Sequence, residues 1–237
     1  MPTVDAGQQD RLGFLDGVQL SRQLPLSDQV YALVRKAIVL GRLPPGAPIQ
    51  EPEIAARLGI SRTPVREAVK KVSDEGLVEV FAQHGTFVSD IRRPAVEEAY
   101  IIRIALESES VARAAVTISP RQLQDIEDIH QAHETAVRRE RYDEAIARDD
   151  DLHRTIAETN GLNMLWKVVD ITKAQMDRCR LQSMPDPGAG LETVAQHRAI
   201  IDALAVRNPD LARQAMLRHL STSLGNTLRY LDRARAV

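Results

Sequence analysis

Four side chains in the second half of the chain have the types and spacing of a metal site. Asp149 and His153 stand four apart, so on a helix both project from one face. His197 and His219 each lie 11 residues from Asn208, on either side of it. If Asn208 breaks an antiparallel helical hairpin, both rings sit at one height, roughly 16 Å from the turn at ~1.5 Å per residue. One carboxylate and three imidazoles suit zinc, nickel or manganese. Any one of these histidines alone is ordinary surface or core; the coincidence of an i,i+4 pair with a symmetric hairpin pair carries the reading. Asp150 and Asp151 compete for the carboxylate role. His130 and His133 show no such partner and read as surface residues.

A second set is suited to nucleic acid. Arg62 and Arg66 stand four apart at the start of a helical pattern, with Thr63 beside them. Arg forks onto guanine, and both residue types hold phosphates, so this helix end suits a major groove. Residues 57–71 hold Arg57, Arg62, Arg66, Lys70 and Lys71 against Glu67 alone.

The elements that must position these groups are mostly helices. Leu26 to Leu40 carries an apolar stripe of Val30, Leu33, Val34, Ala37 and Ile38. Glu51 to Leu58 is a short second helix, closed by Gly59. A third starts near Ser61 or Thr63, has Pro64 in its first turn and stops at Gly76. Leu77 to Phe81 alternates like a strand, Gln83-His-Gly85 turns the chain, and Thr86 to Val88 returns it. Three helices and a hairpin make a winged helix-turn-helix. From Pro94 onward six helices are expected: Val96–Ile118, Ser119 to about Arg139, Tyr142–Glu158, Met164–Leu181, Glu192–Val206, and Asn208 to about Arg233. Short loops between them imply an antiparallel bundle. The fold class is thus mainly α, with domains at 26–91 and 94–237 and a mobile polar arm at 1–25.

Composition supports this and excludes other classes. Of 237 residues, 43% are hydrophobic but only 3% aromatic, so the core must be aliphatic. The single cysteine, Cys179, excludes an intramolecular disulfide framework and points to a reducing cytoplasm. No apolar run approaches the ~20 residues of a membrane span. Net charge is −2, and the first 92 residues are neutral, with 11 Lys+Arg and 11 Asp+Glu. Any DNA contact must therefore come from local clustering, as at 57–71.

The first region resembles the DNA-binding domain of GntR-superfamily regulators. The resemblance rests on Leu58-Gly-Ile-Ser-Arg-Thr-Pro-Val-Arg-Glu-Ala68, then Glu75-Gly-Leu-Val78, then Gly85-Thr-Phe-Val88. It implies base and phosphate contacts from Arg62, Thr63 and Arg66, with His84 and Gly85 at a wing tip near the minor groove. Pro52 departs from the family, standing where a phosphate-contacting polar residue is common. The second region resembles the FCD ligand-binding domain of the FadR subfamily. Here the matching residues are Arg103-Ile-Ala-Leu-Glu107, Asp149-x-x-x-His153, and His197 and His219 flanking Asn208-Pro-Asp210. The resemblance implies a divalent metal on Asp149, His153, His197 and His219, completed by a small carboxylic acid, with Arg103 facing that acid. The plainer role for Arg103 is an ion pair with Glu107. Leu152 stands where Phe is usual, and Leu162-Asn163 where Asn-Pro is common; neither change removes a ligand.

The expected protein is a ligand-responsive transcription regulator, a repressor in the first instance, acting as a homodimer on a palindromic double-stranded operator. The metal then docks the acid and has no catalytic task. Two other readings stand beside it. Asp plus three His can activate water in an enzyme, although no general base accompanies the set. A metal-free bundle can serve for dimerisation alone.

Overall fold

The structure is a computed structural model that describes residues 11–183 and 188–235. In chain order the elements are α1 (Leu26–Val39), α2 (Glu51–Leu58), α3 (Arg62–Asp74), β1 (Val78–Phe81), β2 (Gly85–Val88), α4 (Arg93–Thr117), α5 (Pro120–Arg138), α6 (Tyr142–Glu158), α7 (Asn163–Ser183), α8 (Ala189–Ala205) and α9 (Pro209–Arg235). The chain divides into two compact units between Ile91 and Arg92.

In the first unit, Val30, Val34, Ala37 and Ile38 of α1 are buried against Val65, Ala68, Val69 and Val72 of α3. Each set recurs at the 3-4 spacing of one helix face, which is why two short helices share one aliphatic core. Helix α2 ends at Gly59, whose φ of +66° is left-handed. That turn lets the Ile60 N–H reach the Ala55 carbonyl at 3.0 Å and redirects the chain into α3. Pro64 falls in the first turn of α3, where its missing N–H leaves no bond unmade. Strands β1 and β2 pair antiparallel, Val78 opposite Val88 and Phe81 opposite Gly85. The wing stands on the helices through the buried Leu77, Val78 and Val88.

The expected mobile arm needs correction from residue 11 onward. Gly13–Leu15 forms a 3-10 turn, and Leu15 is buried at 2% exposure. Asp16 accepts two bonds from Arg57, at 2.6 and 2.9 Å. Leu15 is an apolar anchor in a polar stretch, and composition alone passes over it. Residues 1–10 lie outside the described residues.

The second unit is a helical bundle. Helix α4 packs on α7 and α9, α5 on α6 and α8, and α8 on α9. Val111, Ile118, Ile126, Leu152, Ile156, Ile200, Leu204, Met216 and Leu220 share one buried cluster. Leu152 is fully buried in it, so it fills as an aliphatic the place expected for Phe. Ser119 and Gln122 cap α5 reciprocally, each side chain bonding the other's backbone N–H. At the α8–α9 corner Arg207 takes a φ of +54°, and Asn208 Oδ1 accepts from the N–H groups of Asp210 and Leu211. This Asx cap breaks the hairpin at the expected residue. Helix α8 begins at Ala189, three residues before the expected Glu192; of the loop expected at 184–190, residues 184–187 lie outside the described residues.

Candidate metal centre and nucleic-acid interface

The bundle brings the four candidate ligands together. One ligand atom from each of Asp149, His153, His197 and His219 lies within 4.8 Å of the others, and all four residues are buried. Helix α6 supplies Asp149 and His153, α8 supplies His197 and α9 supplies His219. The hairpin brings the last two rings to 4.6 Å between centroids, tilted by 56°.

Neighbouring side chains set how these groups point. His219 Nδ1 lies 3.2 Å from Gln196 Oε1. An amide oxygen only accepts, so Nδ1 carries the proton and Nε2 is a bare lone pair. His153 Nδ1 lies 2.5 Å from Glu107 Oε2, a charge contact without aligned hydrogen-bond angles. A carboxylate behind one ring nitrogen favours the proton on that nitrogen and turns the other toward a cation. Arg103 Nε in turn donates to Glu107 Oε1 at 2.6 Å. The two Nε2 atoms then face each other at 3.1 Å. Two lone pairs at that distance repel unless a proton or a cation lies between them. His197 Nε2 lies 3.3 Å from Asp149 Oδ1, yet neither ring nitrogen of His197 makes an aligned hydrogen bond.

Burial and neighbouring charge shift the titration of several of these groups. Burial holds the His197 and His219 imidazoles below their ordinary range, with adjacent histidines adding to the effect at His219. Burial raises the Asp149 carboxyl, but Arg180, His197 and His153 outweigh it and hold it well below the usual carboxylate range. Glu107 is opposed by burial in the same way and is pulled to about 2 by Arg103 and His153. Neutral imidazoles beside an ionised carboxylate are a ready donor set for a divalent cation.

Asp149 is the aspartate that enters the cluster. Asp150 instead pairs with Lys173 at 2.9 Å, and Asp151 with Arg148 and Arg154. Arg180 of α7 donates to Asp149 Oδ2 at 2.6 Å. Arg180 also lines a cavity of about 30 Å³ with His133, Gln196, His219, Ser223, Asn226 and Thr227 among others. That is room for one or two waters.

In the first unit, Arg62, Thr63 and Arg66 are all exposed at the start of α3. Arg66 stands 3.6 Å from Glu51 with its side chain 70% exposed. Arg57 and Lys71 pair with Asp16 and Asp28, while Arg62 and Lys70 have no ion pair among the described residues. His84 and Gly85 are exposed at the hairpin turn, where His84 Nδ1 lies 2.9 Å from the Ala82 carbonyl. Pro52 is exposed on α2 and brings no donor there.

Residues 26–88 match the gntR family of bacterial regulatory proteins, and residues 98–222 match the FCD domain. The chain belongs to the GntR family. Among its relatives is the HTH-type transcriptional repressor RspR of Escherichia coli K12, 31% identical over 202 residues, covering 85% of this chain and 89% of that protein. Another is an HTH-type regulator in an unstable DNA locus of Streptomyces ambofaciens, 33% identical, covering 81% and 80%. The structure of E. coli McbR/YncC shares the fold at a TM-score of 0.78 and 20% identity, covering 87% and 98%. This GntR-family chain is a DNA-binding transcriptional regulator and not an enzyme. Among the described residues no helix is long and apolar enough to cross a membrane.

Two placements differ from the sequence reading of this GntR-family bundle. His130 and His133 are not surface residues: their exposures are 6% and 1%, and His133 lies 5.0 Å from the His197 ring. Arg103 is buried and forms the ion pair with Glu107, the plainer of its two expected roles, while Arg180 lines the cavity. Glu107, Gln196 and Arg180 were missed as site residues. Glu107 had a signal, its i,i+4 spacing from Arg103; Arg180, 31 residues from Asp149, had none.

Proposed function

We propose that this regulator holds a divalent cation on Asp149, His153, His197 and His219, and that a small carboxylic acid binds beside it to change operator affinity. The observation that carries the reading is the meeting of four buried ligand atoms within 4.8 Å of one another, with His153 Nε2 and His219 Nε2 facing at 3.1 Å. A cation satisfies both, and the buried Asp149 supplies the anionic ligand. The bound ion supplies a Lewis-acidic docking point for a carboxylate. Glu107 and Gln196 orient imidazoles, Arg103 orients Glu107, and Arg180 offers a bidentate partner to the acid.

The cavity beside Arg180 is lined by His133, Gln196 and His219, next to the cluster. An acid bound there regulates only if it favours one bundle arrangement over another. Arg62, Thr63 and Arg66 read the operator in the major groove, with His84 and Gly85 at the minor groove. A homodimer on a palindromic site satisfies the two-fold symmetry of such a contact. Repression is taken from RspR.

The test is a thermal-shift screen of small carboxylic acids on the metal-stripped chain, with and without zinc, nickel or manganese. The expected result is a metal-dependent stabilisation by a subset of acids, absent in His153→Ala. Stabilisation by acid that ignores both the metal and His153 overturns the reading.

A further inference from the structure

We propose that His130, His133 and His197 form a second cation site, which shares His197 with the Asp149 cluster and takes a zinc-type ion on imidazole nitrogen alone. His130 and His133 stand three apart on α5, so both rings reach the same face. One ring nitrogen from each lies within 4.8 Å of one on His197 of α8. All three side chains are more than nine-tenths buried, and the Nδ1 atoms of all three are without a hydrogen-bond partner. His197 is unbonded at both nitrogens, so one ring faces two groups of ligands.

Buried polar atoms in a folded interior are almost always partnered. Three buried imidazoles that each bring a ring nitrogen within 4.8 Å of the others, and each hold an unpartnered Nδ1, make a donor set for an ion. An imidazole-only set favours zinc, copper or nickel over magnesium, calcium or manganese, which prefer oxygen. The set has no carboxylate, so its preference is softer than that of the Asp149 cluster. A neutral imidazole offers one lone pair. His197 therefore serves one ion at a time, and the second position fills in place of the first.

The test uses the full chain without a histidine tag, dialysed against zinc and analysed for bound metal. The His153→Ala/His219→Ala chain keeps about one zinc per chain, because His130, His133 and His197 remain. Adding His130→Asn and His133→Asn removes it, with circular dichroism confirming a helical fold throughout. Asn fills much of the ring's volume, which protects the interior if alanine does not fold. A folded His153→Ala/His219→Ala chain without zinc overturns the second site, as does zinc that survives the added Asn changes. In the otherwise wild-type chain, His130→Asn/His133→Asn leaves the Asp149 site intact and still zinc-bound. Loss of zinc in that arm alone counts against the Asp149 site and leaves the second site standing.

Discussion

His153 is held by what stands behind it. Glu107 Oε2 stands 2.5 Å from Nδ1, and the ring's Nε2 faces His219. Removing such an outer carboxylate typically weakens metal binding 10–100-fold. Glu107→Gln keeps the size and loses the charge, so it should lower zinc affinity by about that factor in a chelator competition. Unchanged affinity means Glu107 does not position the ligand. The same burial makes the apo fold sensitive to acid. Burial holds His133 at about 3 and pushes His197 and His219 down as well. Unfolded, each protonates near 6.5. Below that value the unfolded chain binds more protons than the folded one, so stability falls with pH, by about 1.4 kcal/mol per unit for each such histidine. Asp149 and Glu107 titrate lower in the fold, and their contribution is lost only below the ordinary carboxylate range. Apo melting temperature should therefore drop between pH 6.5 and 5, and bound metal should blunt the drop. A flat profile in that window removes the buried-neutral assignment.

Helix periodicity made most elements legible. The caps at Ser119 and Asn208 and the stop at Gly59 lie where their residue chemistry places them. The equal spacing about Asn208 delivered His197 and His219 to one height, because an antiparallel hairpin has little freedom there. His130 and His133 were misread although a signal existed: with Ile126 and Val137 they continue the inward stripe of α5. Polarity argued for the surface, and the partner was on a helix far along the chain. Arg180 was illegible because its meaning comes from its pairing with Asp149 on another helix. Two predictions sit at this scale. Gly59→Ala puts a side chain on a left-handed residue and should cost about 1 kcal/mol in denaturant unfolding. No loss would mean the α2–α3 turn relaxes freely. On α3, Arg66→Ala and Arg62→Ala should each weaken operator binding while leaving the helical spectrum unchanged. A phosphate contact lowers the salt slope by about 1 when removed, whereas a base contact relaxes specificity at one position. A salt titration with sequence-swapped sites separates the two, and unchanged affinity in both variants removes α3 from the interface.

At the scale of the whole molecule, regulation is a coupling free energy between two sites and must be reciprocal. If acid weakens operator binding by a factor of roughly 5–150, operator must weaken acid binding by the same factor. On the proposed function the factor depends on the metal cluster, where the acid would dock. His219→Ala should thus bring the acid's effect on operator affinity close to none, and leave affinity without acid within about threefold, since the exposed residues of α3 are untouched. Gel-shift titration at fixed salt, with and without acid, reads both numbers on one protein. Calorimetry of acid into free and operator-bound protein closes the cycle. Equal loss of operator binding with and without acid would instead mark His219 as a structural residue. A coupling that survives the loss of His219 would place the acid somewhere other than the cluster of Asp149, His153 and His197.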